Sequence, residues 1–167
     1  MVELELLHQL KPFRDLDKKQ LSKLVPKCEI IEFVKGDKLF TEGDNAEHLW
    51  VVREGCVDLR FELPDGRPTS GDMTVDSVRV EDREPEAKVL GWSCFVPPYK
   101  MRLSAYCVTP DCAIVRILKS DLMPLFNSDP LMGYRFMSYM IKVVGFRFHQ
   151  FQNHVAKNMG EDLMFGW

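Results

Sequence analysis

The hydrophobic and polar positions of this chain change their spacing twice. In residues 2–25 the apolar residues recur at helical spacing in two segments separated by Pro12, which predicts two short helices. From Cys28 to about residue 118, apolar and polar residues alternate in short runs bounded by glycine, proline and aspartate, which is typical of strands joined by tight turns. Helical spacing then returns, and residues 131–157 fit one long helix.

Short strands bracketed by helices predict one α+β domain built on a jelly-roll-type β-barrel. We predict an N-terminal helical segment at residues 1–27, a β-roll at 28–118, C-terminal helices at 119–158 and a tail at 159–167. At 167 residues the chain is long enough to bury a core without disulfides or metal.

Composition argues against several classes of protein. The net charge of −3 is unfavourable for non-specific nucleic-acid binding, which needs a basic surface. Five cysteines without a CxxC pair are typical of reduced thiols, so we expect a cytoplasmic protein. The N-terminal residues lack a basic segment, and no run of about 18 uncharged apolar residues occurs, so we expect neither a secretion signal nor a membrane span.

The residues that could support catalysis or metal binding do not form a recognisable pattern. His149 and His154 are five residues apart, which does not align them on one helix face, and only His48 lies near a predicted strand. Ser93 lacks the G-x-S-x-G context of a nucleophilic serine. We therefore expect neither a metal site nor an enzyme activity.

The stretch "FVKGDKLFTEGDNAEHLWVVREGCVDL" resembles the opening strands of the cyclic-nucleotide-binding domain family, which includes catabolite activator protein and the regulatory subunits of protein kinase A. Gly36, Gly43 and Gly55 fill the three glycine positions of the family pattern. The flanking helices and the later segments follow in family order, so the resemblance covers roughly residues 10–155. It implies the β-roll fold of the family and a regulatory role.

Residues 90–104, "LGWSCFVPPYKMRLS", take the position of the phosphate-binding cassette of that family. The resemblance implies that a short helix after Gly91 presents backbone N–H groups to a cyclic phosphate. It also implies that an arginine about ten residues later neutralises the phosphate and that a glutamate directly after the glycine binds the ribose. Trp92 stands at the glutamate position, and an indole has one donor and no acceptor. We expect cyclic AMP or cyclic GMP to bind at least about tenfold more weakly, or another small anion to be the ligand.

The cation of this cassette depends on the register of the strand that follows. Arg102 lies ten residues after Trp92, whereas counting back from Thr109 places the arginine position at Met101. A slip of one residue turns each side chain to the opposite face, so either Lys100 and Arg102 face the pocket or Met101 does. We favour the cationic pair because the polar face then continues to Ser104. The predicted ligand residues are Gly91, Trp92, Ser93, Cys94, Arg102 and Ser104, with Lys100 as an additional cation.

Residues 131–155 carry apolar side chains on more than one helix face. One face suffices to cover the β-roll, so the second predicts another partner, most simply the same helix of a second copy. The resemblance also implies dimerisation through this helix. Few lysines and arginines on its polar positions argue against membrane-surface binding, and no recognition helix follows it in the sequence, so we expect no DNA binding.

Two functional interpretations follow. The first, which we prefer, is a stand-alone sensor or regulatory module, homodimeric, which reports ligand binding to an unidentified protein partner. The second is a protein-interaction or dimerisation domain that binds no ligand because Trp92 closes the pocket. The position of the Trp92 side chain distinguishes the two interpretations. The indole either stacks on a flat ligand ring or fills the pocket as part of the core, and for this side chain we favour the second position.

Overall fold

The computed structural model describes residues 2–62, 74–79 and 84–165. Helices flank two β-sheets, as the spacing of apolar residues predicts. The elements in chain order are α1 (Leu4–Gln9), α2 (Lys18–Leu24), β1 (Cys28–Val34), β2 (Lys38–Phe40), β3 (His48–Glu54), β4 (Cys56–Arg60), β5 (Thr74–Arg79), β6 (Val89–Leu90), β7 (Ser104–Cys107), β8 (Asp111–Leu118), α3 (Lys119–Ser128) and α4 (Pro130–Phe165).

Each sheet has four antiparallel strands. The first has the order β1-β8-β3-β6, and the second has the order β2-β7-β4-β5. Among the described residues no strand belongs to both sheets, so the predicted barrel is an open roll of two facing sheets. The α+β class and the β-roll with a long C-terminal helix are confirmed.

The core has two layers, and β3 contributes to both. Leu49 and Val51 pack with the helices on one side of the first sheet. Trp50 and Val52 pack between the two sheets. Because successive side chains of a strand point to opposite faces, β3 is buried on both sides and lies at the centre of the molecule.

The N-terminal helices are held by side-chain hydrogen bonds as well as by leucines. Asp17 and Gln20 form a reciprocal capping box at the start of α2, in which the Gln20 backbone N–H donates to Asp17 at 2.8 Å. The Gln20 amide also donates to Asp129 at 2.8 Å. Asp129 separates α3 from α4, so this bond ties the predicted 1–27 segment to the junction of the two C-terminal helices.

Helix α4 is the longest element, with 36 residues and a length of about 54 Å. Met132, Phe136, Met140 and Val143 are buried against the rest of the molecule. The helix continues to Phe165, so it includes most of the stretch expected to be a tail after residue 158. Among the described residues, no helix is long and apolar enough to cross a membrane.

Candidate functional site: a cavity beside the long helix

A cavity of about 320 Å³ lies between the second sheet, the segment after β6 and the middle of α4. This volume is at the small end of the range of roughly 300–1,000 Å³ that is usual for ligand pockets. Its walls are mostly apolar. The apolar lining residues are Phe40, Leu59, Phe61, Val75, Leu90, Gly91, Trp92, Met101, Leu103, Val144, Phe148 and Phe151, and the polar ones are Asp76, Ser93, Arg102, Arg147 and Gln150.

Gly91 brings the predicted cassette to the wall of this cavity. It follows β6 with a φ of +77° and leads directly into a single 3-10 turn, Trp92–Phe95. A Cβ atom at position 91 would lie 2.4 Å from the carbonyl oxygen of His48 and 2.7 Å from Cδ1 of Trp50. The chain can therefore turn against β3 at this point only because residue 91 is glycine.

Trp92 forms part of the cavity wall and leaves the cavity open. The indole is half-buried and packs against the helix-side core. Its other side lines a groove of about 270 Å³ between the 3-10 turn and α4, together with Met137 and Ile141. Trp92 and Val144 line both the cavity and this groove.

The register around Met101 differs from the arrangement that we favoured from the sequence. The backbone of Met101 accepts a hydrogen bond from Gly43 and donates one to Asp44, both at 2.9 Å. This pairing turns the Met101 side chain into the layer between the sheets, where it is 5% exposed. Lys100 points outward and donates to Asn45 at 2.7 Å, so the expectation that Lys100 faces the pocket is wrong.

Ser104 and Cys94 also lie outside the cavity lining. Ser104 points to the outer face of the second sheet, opposite its neighbour Ala105, which packs between the sheets. The Ser104 hydroxyl donates to Glu62 and accepts from the backbone N–H of Glu42 at 2.8 Å. Cys94 is fully buried between the sheets, and burial raises the pKa of its thiol to about 12, so it stays protonated at neutral pH.

Glu62 is the centre of a polar cluster on this outer face. It accepts hydrogen bonds from Ser104, from Lys38 at 2.9 Å and from Tyr106 at 2.7 Å. Burial opposes ionisation of the carboxyl, but the three donors outweigh it and lower the pKa of Glu62 to about 2. Because the three donors converge on one carboxylate, the cluster connects β2 and β7 to the residues after β4. The Ser104 hydroxyl belongs to this cluster and has a structural role.

Sequence reasoning missed Arg147 and Asp76, which meet at the cavity wall. The Arg147 guanidinium on α4 pairs with Asp76 on β5 and donates to the carbonyl oxygens of Ala87 and, at 3.4 Å, Val89. Both side chains are largely buried. The sequence signal was weak, because one arginine in an apolar helix and one aspartate in a polar stretch 71 residues away do not indicate a pair.

Arg102 is the cation that remains available to a ligand. Its side chain is exposed at the cavity rim and makes no hydrogen bond or ion pair with another described residue. Asp76 is the one carboxylate among the described lining residues, and it is paired with Arg147. Within the described part of the wall, no free carboxylate is therefore present to accept a hydrogen bond from a ribose hydroxyl.

Metal ligands and reactive thiols do not converge on this site. No group of three or more His, Cys, Asp or Glu side chains in the described ranges could hold a metal ion. All five cysteines are free, and burial raises the pKa of Cys28, like that of Cys94, to about 12. The site can therefore enclose an apolar group and offer it one guanidinium.

Comparisons with solved structures place this architecture among known folds. A candidate cyclic-nucleotide-binding protein from Geobacter metallireducens is 24% identical, with a TM-score of 0.71 over 89% of this chain and 100% of that one. A cyclic-nucleotide-binding domain from Methylobacillus flagellatus is 17% identical, with a TM-score of 0.70 over 92% and 81% of the two chains. The regulatory domain of Toxoplasma gondii protein kinase A, crystallised with cyclic AMP, is 13% identical, with a TM-score of 0.64 over 85% and 48%.

No family model matches the sequence, and no curated protein matches it. The identities to the solved structures are all below 25%, so these similarities concern the fold. The three structures nevertheless share one architecture with this chain over most of its length. The chain has the fold of the cyclic-nucleotide-binding domains.

Proposed function

We propose that this chain is a ligand-sensing regulatory module in which a small molecule occupies the cavity beside Trp92. The observation that carries the proposal is an open cavity at the cassette position, with Gly91, Trp92, Ser93 and Arg102 on one side and α4 on the other. The solved structures of this fold include regulatory and sensor domains, and one contains cyclic AMP. Three predicted residues, Lys100, Cys94 and Ser104, are not part of the proposed site.

Cyclic nucleotides should bind weakly in this site. Trp92 replaces the ribose-binding glutamate, and Asp76 is paired with Arg147. A ribose hydroxyl buried here would lose its hydrogen bonds to water without gaining an anionic acceptor, which costs about 1–3 kcal/mol. That corresponds to a loss of affinity of roughly tenfold or more.

The signal would travel through α4. Val144, Arg147, Phe148, Gln150 and Phe151 all belong to this helix and line the cavity. A ligand that favours one position of the helix shifts the population toward it by its difference in affinity for the two positions. Arg147 and Asp76 both line the cavity, so a bound ligand would lie beside the ion pair that holds α4 to β5.

We further propose that α4 pairs with α4 of a second copy. Four of its exposed apolar residues follow a seven-residue spacing, which is typical of a coiled-coil seam. A second apolar series of the same spacing lies three residues further along, as the second core position of a heptad requires. The exposed series is Tyr134, Ile141, Phe148 and Val155, and the second series is Met137, Val144 and Phe151.

Sedimentation velocity of the Ile141→Lys variant tests this pairing. Ile141 is 73% exposed, so a lysine fits the isolated chain but places a charge in the seam. We expect the wild type to sediment as a dimer and Ile141→Lys as a monomer. Asn153→Lys adds the same charge at an exposed position on the side of the helix away from the seam, and it should remain dimeric. A monomeric wild type, or equal dimers in all three proteins, contradicts the pairing.

A thermal-shift screen tests the sensor itself. The screen uses cyclic AMP, cyclic GMP and small organic acids at millimolar concentration. A ligand at 100 times its dissociation constant adds about 2.7 kcal/mol of stability, which raises Tm by roughly 5–10 °C for a protein of this size. Val75→Trp should abolish the shift, because Val75 lines the cavity and the larger ring occupies it.

Val34→Trp is the matched control for this screen. Val34 lies on a strand and is 58% exposed, away from the cavity, so its replacement should leave the shift unchanged. The interaction-domain alternative predicts no shift with any compound and a dimer that does not respond to them. A shift that survives in Val75→Trp places the binding site elsewhere and contradicts the proposed location.

A further inference from the structure

We propose that the ligand of this cavity is a small apolar molecule with a single anionic group, such as an aromatic or medium-chain carboxylic acid. This inference rests on the proposed function and narrows its ligand. It follows from three properties of the wall: its apolar surface, its one uncommitted cation, and its lack of a free carboxylate among the described residues.

The body of the ligand has to be apolar because most of the wall is. Phe40 and Phe61 come from the second-sheet side, Trp92 from the 3-10 turn, and Phe148 and Phe151 from α4, so aromatic rings approach the cavity from three directions. Transfer of an apolar surface from water into such a space is favourable in proportion to its area. A sugar ring would instead bury hydroxyl groups against these rings without hydrogen-bond partners.

The charge of the ligand follows from the charges that remain unpaired. Arg147 and Asp76 neutralise each other at the inner wall, so they offer no net charge to a ligand. Arg102 at the rim is the one described lining cation without a described partner. One guanidinium matches one carboxylate, and the planar fork of the group can bind both of its oxygens.

This position of Arg102 also orients the ligand. Arg102 is exposed to water, whereas Leu90 and Met101 in the cavity wall are buried, so the carboxylate stays at the entrance and the apolar body enters the cavity. Ser93 and Gln150 add neutral hydrogen-bonding groups to the wall but no charge. A second anionic group would find no further uncommitted cation among the described lining residues, and a cationic ligand would meet Arg102 at the entrance.

Isothermal titration calorimetry with 2-naphthoate, 2-naphthalenemethanol and cyclic AMP tests the inference. The first two compounds share the ring and differ in charge. We expect wild-type protein to bind 2-naphthoate about tenfold more tightly than the alcohol, and cyclic AMP most weakly of the three. Arg102→Gln should weaken 2-naphthoate binding about fivefold to tenfold and leave the alcohol unchanged, because it removes only the charge-assisted contact.

Lys100→Gln is the matched control, since Lys100 is a neighbouring exposed cation that does not line the cavity. Its affinity for 2-naphthoate should equal that of the wild type. Equal binding of acid and alcohol by the wild type, or equal losses in the two variants, overturns the anionic part of the inference. Tight binding of cyclic AMP alone overturns the whole inference but leaves the sensor function in place. No binding of any compound overturns both.

Discussion

Loss of the Arg147 guanidinium should destabilise the protein more than any surface ion pair does. Arg147→Met keeps most of the aliphatic stem but leaves Asp76 without its partner and the carbonyl of Ala87 without its donor. The side chains of Arg147 and Asp76 are only 10% and 16% exposed, so water replaces these bonds poorly. Breaking a fully buried pair costs about 3–5 kcal/mol, and we expect about 2–4 kcal/mol for this partly hydrated one.

Urea unfolding, followed by tryptophan fluorescence at one protein concentration, measures this loss. The constant concentration matters because dimerisation adds to the apparent stability. Lys27→Met is the control: Lys27 pairs with Asp121 at 3.1 Å, but the two side chains are 43% and 31% exposed. Exposed pairs contribute about 0–1 kcal/mol, so the control should remain within that range of the wild type.

A double-mutant cycle identifies the pair as the cause. Asp76→Leu alone removes the carboxylate partner of the guanidinium, whereas Arg147→Met combined with Asp76→Leu removes both charges of the pair. The double variant should therefore lose at least about 1 kcal/mol less than the sum of the two single losses. A loss below about 0.5 kcal/mol in Arg147→Met, or strictly additive losses, refutes the claim that this pair fixes α4 to β5.

Three further predictions concern the turns, the outer cluster and the cassette. Gly55→Ala should lower the free energy of unfolding in urea by at least about 3 kcal/mol, because φ is +84° and the new Cβ would lie 2.3 Å from the Asp111 carbonyl oxygen. Gly36→Ala, with open space around it, should lower it by only about 1 kcal/mol. Equal losses in the two variants would contradict this. The pKa of Glu62 is about 2 in the folded protein against an ordinary value of 4.5, so the stabilisation that this carboxylate provides is present above pH 4.5 and is lost as pH falls toward 2. Glu62→Gln should therefore reduce the dependence of Tm on pH between these two values. An unchanged slope would disprove the assignment. Trp92→Glu should raise the affinity for cyclic AMP about tenfold in calorimetry by restoring an acceptor, with Trp92→Phe as the control that should not.

The sequence predicted the strands and turns well because they depend on local signals. The Gly36, Gly43 and Gly55 turns all have positive φ, and the alternating residues between them form paired strands. Inside the polar stretch 67–86, residues Thr74–Arg79 form β5, which pairs with β4. The remainder of that stretch up to residue 83 lies outside the described residues.

The register at Met101 was harder to predict because β7 is buried on both faces. Ser104, Ala105, Tyr106 and Cys107 are all buried, so polarity does not identify the inner face of this strand. Alternation predicts that Lys100, Arg102 and Ser104 share one face, but Arg102 lines the cavity together with Met101, whereas Lys100 and Ser104 do not. Alternation also does not predict the contact of Ser104 with Glu62, which lies 42 positions away.

The cavity itself could be predicted only in position. Gly91, which follows the strands in the sequence, indicated where a ligand would lie. The apolar character of the cavity, however, depends on α4 packing beside the second sheet. Arg147 and Asp76 enter the site through the same packing. Hydrophobic spacing in residues 131–155 predicted a second apolar face without showing that Val144, Phe148 and Phe151 also line the cavity.

The central claim is that a small molecule occupies this cavity and changes α4. Methionine methyl NMR during titration with 2-naphthoate tests this claim most directly, because three methionines report on different places. Met101 lines the cavity, Met140 lies on α4 beside the adjoining groove, and Met132 is buried elsewhere on the same helix. We predict saturable shifts of the Met101 and Met140 signals, with Met132 unmoved. A Met101 signal that stays fixed at saturating 2-naphthoate, cyclic AMP and cyclic GMP would contradict the account.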